Sequence, residues 1–597
     1  METNYCPTGN EMVSLPRLNE RTAGIEDLTF LHMGYKGLVD LRGGEDEPLI
    51  QPFVQVNGTD CPLEGLRWSR LGFWVPRFTG KAGSLDVEGV VLTPVEERGF
   101  VIRLELHNPG DAGCEVKFGL KGLWASAWHC VNEDKPLEGS KHCFESAWNG
   151  SLVFDMRCGA PMFAFAPMCD APCASAFAEA EEGIAYRLEC CCELAPGARR
   201  AVSFYWGLGF EEVAAATSAK EMLRQGYEYE RERTLRWLEA RACRFADEAL
   251  TGLYNLNLFF CIFFSTGVTL DSEELVLVTS RSPRYYVSAA YWDRDSLLWS
   301  FPAVLDADPA LARRMLEYAF GRQRRNFGVH SRLIDGTVLE PGFELDELMA
   351  PVLALERYTD ATGDRSLLEE GDVKKGVRSV LEKLAQRRHP DLALYSTFLQ
   401  PTDDERVYPY LTYDNVLVWR ALRALARLYP EQGGLAERAA AVREAILTHC
   451  VKTRDQKPYY AWSVDLEGHW DVYDEPPGSL LLLPWLGFCE QDDEIWRNTV
   501  GMICAPEYAY SFAGHPIAMI GCPHAPHPWL LSIANSLLCG RRDKCLEILR
   551  DIRMDNGIAC ESVHEDTGEC TTGEAFATCA GFLCHAIKAA FAGEKGE

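Results

Sequence analysis

The sequence predicts a two-part molecule, an N-terminal β-sandwich followed by an (α/α)6 barrel, a ring of six helical hairpins. Three observations carry that prediction. Residues 25–210 form short alternating runs broken by turn residues. Residues beyond 243 carry about twelve helical periods. The long, aromatic and acidic loops among those helices fall in every second connection.

In the first part, segments such as DVEGVVLTPV, GFVIRLELHN, EVKFGLKGLW, GIAYRLECCCEL and RRAVSFYWGLGF have the length and residue types of strands. Gly, Pro, Asn and Asp separate them at intervals of roughly 8–15 residues, the spacing of an all-β sandwich. The cysteine triplet 190–192 reads as small apolar residues in a core strand. Residues 1–210 are assigned to this domain, and no catalytic constellation stands out in it. Residues 211–242 are charged, helix-favouring and free of Pro, which predicts a helical linker. Residues 243–597 form the barrel, with helical periods near 244–266, 292–304, 309–325, 343–361, 366–387, 412–429, 434–450, 478–488, 491–500, 526–539, 541–553 and 572–591. Long loops precede the even-numbered helices, and the links from each of those to its successor are mostly short. Hairpins closed in a ring produce that pattern, with the even helices inside and the long loops gathered at one mouth.

Composition narrows the partners. With 59 basic against 88 acidic residues, the net charge of −29 repels phosphate backbones and anionic lipid. Nucleic acid and membrane surfaces are therefore not expected, and neutral ligands such as oligosaccharides are. No signal-peptide pattern opens the sequence and no run of about 18 apolar residues occurs. The 23 cysteines contain neither Cys-x-x-Cys nor His-Glu-x-x-His, so reduced thiols in the cytoplasm are expected, with no metal or cofactor.

The mouth loops carry the chemistry. Before the second helix, Tyr291, Trp292, Asp293, Arg294 and Asp295 set aromatic planes beside acid and guanidinium groups, a pairing that suits sugar CH faces and hydroxyls. Before the fourth come His330, Glu344 and Asp346. The loop before the sixth, 395–415, holds Asp403 and Asp404 among tyrosines that include Tyr410, then Asp414 and Asn415. Adjacent acids repel, which raises one pKa and favours a general acid. Before the eighth lie Trp470 and Asp474. Before the tenth are His515, Cys522, His524, His527 and Trp529, whose ligand types permit zinc but whose spacing fits no known site. Before the twelfth, Glu561 follows an apolar Ile-Ala-Cys run that should hold it at the mouth, and it is chosen as general base.

In these stretches the sequence resembles the metal-independent α-mannosidases, an (α/α)6-barrel family of exo-acting enzymes. YWDRDS is similar to that family's WLRDS, FELDEL to its ELDSL, QPTDDERVYPYLTYDN to its RPSDDA, and ACES to its HES. VDLEGHWDVYDEPPGSLLLLPWLGF is similar to DG-G-N…MDDANVPSLL-LPYLGF. The five matches keep their order over about 285–582. The resemblance implies an acid in the third motif, Asp403 or Asp404, and a base, Glu561, in the last. Related trehalases and processing glucosidases align their acid with the first of the pair, which favours Asp403. Two features depart from the family: VYDEP replaces MDDAN, and a β domain precedes the barrel. That layout is similar instead to glucoamylase-like, debranching and disaccharide-phosphorylase enzymes.

The expected reaction is metal-independent inverting hydrolysis, with a terminal α-mannoside or α-glucoside cleaved from an oligosaccharide or glycoconjugate. A glycoside phosphorylase or a sugar epimerase on the same barrel remains an alternative. A non-catalytic carbohydrate-binding protein is the alternative of another class.

Overall fold

The structure is a computed structural model that describes residues 4–592. It divides into two compact units. One runs to Ala242 and takes in Thr266–Leu275 and Arg281–Ala289; the other comprises Cys243–Ser265, Val276–Ser280 and the chain from Ala290.

The first unit is built on antiparallel sheets. The eight-stranded one runs, in spatial order, Ser140–Glu145, Leu152–Cys158, Ala160–Cys169, Arg199–Gly209, Gly99–His107, Leu85–Leu92, Val75–Ala82 and Leu63–Leu71. A five-stranded sheet (Ala174–Glu179, Ile184–Leu194, Cys114–Trp124, Gln51–Val56, Thr59–Asp60) and a six-stranded one that contains Asp27–His32 cover its inner face. The aromatic contacts establish the layering. Trp124 meets Phe165 at 5.3 Å, Tyr186 meets Phe154 at 5.0 Å and Phe30 meets Phe163 at 5.2 Å. This is a β-sandwich, and period-two alternation builds it. In Ile184–Leu194, Tyr186, Leu188 and Cys190 face the core, while Cys191 is exposed. The cysteine triplet does lie in a strand of the core, with only Cys191 exposed, because neighbouring residues of a strand point to opposite faces.

Residues 211–242 form helices α1, Glu212–Gln225, and α2, Tyr227–Glu239, and both fall within the first unit. Helix α1 lays Ala215, Ala216, Ala219 and Met222 on the outer face of the eight-stranded sheet. Two strand glycines permit the approach. A Cβ at Gly207 would lie 2.2 Å from the Ala215 carbonyl oxygen, and one at Gly209 2.4 Å from the Ala215 nitrogen. Gly207→Ala is expected to force the helix outward and cost about 1–3 kcal/mol, read as a lower urea midpoint.

The second unit is helical. Its helices are α3, Glu248–Ser265; α4, Phe301–Ala307; α5, Pro309–Tyr318; α6, Leu345–Thr362; α7, Ser366–Glu369; α8, Gly371–Gln386; α9, Thr412–Leu428; α10, Leu435–His449; α11, Glu494–Ile503; α12, Leu530–Leu538; α13, Arg542–Asp551; and α14, Ala577–Phe591. A wide helical segment, Arg294–Ser300, leads into α4. The inner members meet in sequence: this segment against α6, α6 against α9, α12 against α14, and α14 against the wide segment again. Residues 476–488 fill the place between α9 and α12. Arg420 of α9 donates to Leu486 O at 2.8 Å, and Asn535 of α12 donates to Pro476 O at 2.8 Å. The helix expected at 478–488 is corrected to two short 3₁₀ turns, Pro476–Gly478 and Leu480–Leu482. Pro476, Pro477 and Gly478 stand at its start and Pro484 within it, and these residues disrupt an α-helical ladder. No helix among the described residues is long and apolar enough to cross a membrane.

Candidate active site

The site begins at the wide helical segment. Its backbone opens so that the Phe301 N–H bonds to Ser296 O, five residues back, a geometry that recurs at functional positions. The N-terminal end of that segment is capped from a neighbouring helix. Glu347 of α6 accepts from the backbone N–H of Asp293 at 2.5 Å and of Arg294 at 2.8 Å. Arg294, 2% exposed, then reaches three acids on other elements: Glu344 at 2.5 Å, Asp346 at 3.1 Å, and Asp403. Such a fork-like donor set can hold several carboxylates in fixed relative positions. His330 bonds Glu344 through Nδ1 and lies 3.6 Å from Asp403.

The cluster has more acid than base, and burial decides the outcome. Desolvation pushes Glu344 up to about 7 against the pull of Arg294, and the charge of Asp403 adds to the rise. Asp295, which accepts from Thr578 of α14 at 2.9 Å, is also pushed up to about 7, chiefly by burial. Asp414 is fully buried, and burial first, then the charges of Asp346 and Glu344, hold its carboxyl well above the usual range; neither of its oxygens has a hydrogen-bond partner in the protein. Burial without a partner favours the protonated form of such an acid.

Asp403 sits in a tight turn that the loop's own backbone closes. Asp403 N–H donates to Gln400 O at 2.8 Å and Gln400 N–H to Asp404 O at 2.9 Å, which leaves Asp403 at a left-handed φ of 69°. Asp tolerates that region at a cost that functional turns commonly carry. Buried Glu475 anchors the turn from the neighbouring loop by accepting from both the N–H and the hydroxyl of Thr402 at 3.0 Å. Asp404 is half-exposed and faces His524 at 3.4 Å. Glu561, 4% exposed, accepts from Thr572 at 2.6 Å, and its carbonyl accepts the first N–H of α12 from Leu530.

His524 ties these loops together. Its hydrogen bond to Asp404 pushes the imidazole up to about 9 against burial, and the charges of Glu561, Asp404 and Asp403 all add. The same bond holds Asp404 below its ordinary range. The raised histidine contributes stability that is fully present below 6.5 and lost as pH rises through about 9. The lowered acid contributes stability present above its ordinary pKa and lost as pH falls through its folded value. Melting His524→Asn beside the parent across pH should therefore give a stability gap that narrows as pH passes 9.

The other expected residues divide by use. Trp292 is nearly buried and packs edge-on to His330 at 5.5 Å. Trp529 is nearly buried, donates to Ala525 O and lies 6.1 Å from the His524 ring. Tyr410 and Trp470 are half-buried, and Tyr410 lies 5.8 Å from the His389 ring. Four of the expected residues spend side-chain polar atoms on bonds inside the fold. Tyr291 donates to Asp293 at 2.7 Å, and Asp293 accepts from buried Arg332 at 2.6 Å. Asn415 spends its amide on the backbone of Tyr395 and Leu411. Asp474 accepts from Ser479 and from the Leu480 N–H. The three histidines face three different acids: His515 faces Asp566, His524 faces Asp404 and His527 faces Glu565. Sequence reasoning missed Glu347 and Arg332. Their polar types at core-facing positions of a helix and a hairpin were the available signal.

Residues 388–588 match the family model for metal-independent alpha-mannosidase (GH125). The matched stretch is about a third of the chain. It contains Asp403, Asp404, His524 and Glu561. A 196-residue stretch is 28% identical to the meiotically up-regulated gene 157 protein of Schizosaccharomyces pombe; it covers 30% of this chain and only 38% of that protein. Among solved structures, the Streptococcus pneumoniae metal-independent α-mannosidase in complex with α-1,6-mannobiose aligns with a TM-score of 0.52 and 19% identity, over 61% of this chain and 98% of its own. A bacterial glucoamylase complexed with acarbose aligns at 0.63 and 12% identity, over 98% of this chain and 95% of its own. A putative kojibiose phosphorylase from human microbiome aligns at 0.60 and 10% identity, over 98% and 86%. At these identities the likeness is one of fold.

Proposed function

We propose that this chain is an exo-acting α-mannoside hydrolase that works by single displacement, with Asp403 as general acid and Glu561 as general base. The reading is supported by Asp404 facing His524 at 3.4 Å and Asp403 being bonded by buried Arg294, inside a stretch, also containing Glu561, that matches a glycoside-hydrolase family. Asp404 is committed to protonated His524 and stays ionised at neutral pH, which makes it a poor proton donor and suits it to accept a sugar hydroxyl. Asp403 is held from behind by Arg294 and stands beside acids that keep protons up to about pH 7.

In the proposed step Asp403 gives its proton to the glycosidic oxygen as the C1–O bond breaks. Glu561 takes a proton from a water that attacks C1 from the opposite face, and the product anomer is inverted. The two protons exchange with solvent before the next turnover. A panel of aryl α- and β-glycosides, followed by NMR of the first-formed anomer, tests this. Cleavage of the α-mannoside with β-mannose appearing first is expected. A retained anomer would overturn single displacement, and a strict requirement for inorganic phosphate would overturn hydrolysis.

A further inference from the structure

Away from these acids, three thiols of the β-sandwich meet at one end of the core. Cys169 closes the strand Ala160–Cys169 of the eight-stranded sheet, and the chain then crosses to the facing sheet through Asp-Ala-Pro. Asp170 fastens that crossing: its carboxylate accepts from the Ser203 N–H at 2.9 Å, and its own N–H donates to Ser203 O. Cys173 arrives just before Ala174–Glu179, which pairs with Ile184–Leu194 in the register Ala174 to Glu189. One step further along that register, Cys173 falls opposite Cys190, which points into the core. The three sulfurs lie within 4.8 Å of one another, with the Cys169 and Cys190 sulfurs 3.8 Å apart.

We propose that Cys169, Cys173 and Cys190 form a binding site for a thiophilic d10 metal ion of the Zn²⁺ type. The spacing fits that chemistry. A tetrahedral ion with bonds of about 2.3 Å to sulfur holds its sulfurs about 3.8 Å apart. Cys-x-x-x-Cys lies within the ligand spacings that structural zinc sites use. Cys169 and Cys173 are half-buried, so an ion can enter from solvent, while Cys190 supplies a ligand fixed by core packing. Binding of Zn²⁺ forms three Zn–S bonds, releases three thiol protons to solvent, and leaves the fourth position to a water. The ion would clamp the two facing sheets at an edge where the chain passes from one to the other.

The site is tested on the full chain, purified under reducing conditions and treated with chelator. Zn²⁺, and Cd²⁺ as its spectroscopic stand-in, are titrated into the parent, into Cys169→Ser/Cys173→Ser, and into the controls Cys158→Ser and Cys191→Ser. The parent and both controls are expected to bind one more tight equivalent than the double variant, with a sulfur-to-cadmium charge-transfer band. Zn²⁺ should raise the melting temperature of the parent and leave that of the double variant unchanged. The core residue Cys190 is left in place, so the variants keep their fold, which circular dichroism checks. Equal stoichiometry in the parent and the double variant would overturn the proposal. So would a disulfide between Cys169 and Cys190 in protein isolated without oxidant.

Discussion

Glu561→Gln is expected to lower kcat by about 10²–10⁴-fold while KM changes little. The amide keeps the shape of the side chain and can still meet the Thr572 hydroxyl, which now donates to Glu561 at 2.6 Å. It cannot take a proton from water, so the loss falls on the chemical step. Asp403→Asn should fall as far on substrates with a poor leaving group and much less on aryl glycosides whose leaving group departs without protonation. That contrast separates an acid from a base. Equal losses on both substrate types would instead place Asp403 in sugar binding. Asp404→Asn should mainly raise KM, since its assigned work is to hold His524 and a hydroxyl. A variant of Glu561 with full activity would sink the assignment of the base.

Arg294→Met is expected to destabilise the second unit by about 3–5 kcal/mol, because its removal leaves Glu344, Asp346 and Asp403 beside one another with only His330 near them. The sign with pH is definite. Glu344 is raised in the folded protein already, to about 7, and loss of the guanidinium raises it further. An acid that holds its proton more tightly when folded favours folding at low pH and opposes it once pH exceeds its ordinary range. The gap between parent and variant should therefore be wider at pH 8 than at pH 5, read from urea midpoints. Arg294→Lys should recover only part of the loss, since one ammonium cannot span three carboxylates as a planar fork does. A variant as stable as the parent at pH 8 would show that the acids do not depend on Arg294.

Several features were legible in the sequence because they are local. Alternation in Ile184–Leu194 predicts a strand with one core face, and of its cysteines only Cys191 is exposed. The apolar period after Asn415 predicts α9, which spans Thr412–Leu428. Prolines at 476, 477 and 484 were visible too, and they account for the replacement of the eighth helix by 3₁₀ turns. Other features were not legible. That Glu347 caps the wide helical segment, and that Arg332 neutralises Asp293, depends on which elements become neighbours. Asn415 illustrates the limit most clearly. Its position at the mouth suggests ligand contact, yet all its polar atoms fold back onto the backbone of Tyr395 and Leu411.

The sequence by itself determined that strands precede helices, and that the acid-bearing loops stand before alternate helices, because side-chain periodicity is written residue by residue. Only the tertiary structure decided which acids face each other and which keep their protons. Arg294 and Asp403 are 109 positions apart. Their charge states answer to burial and to partners brought in from other elements, and no local pattern encodes either.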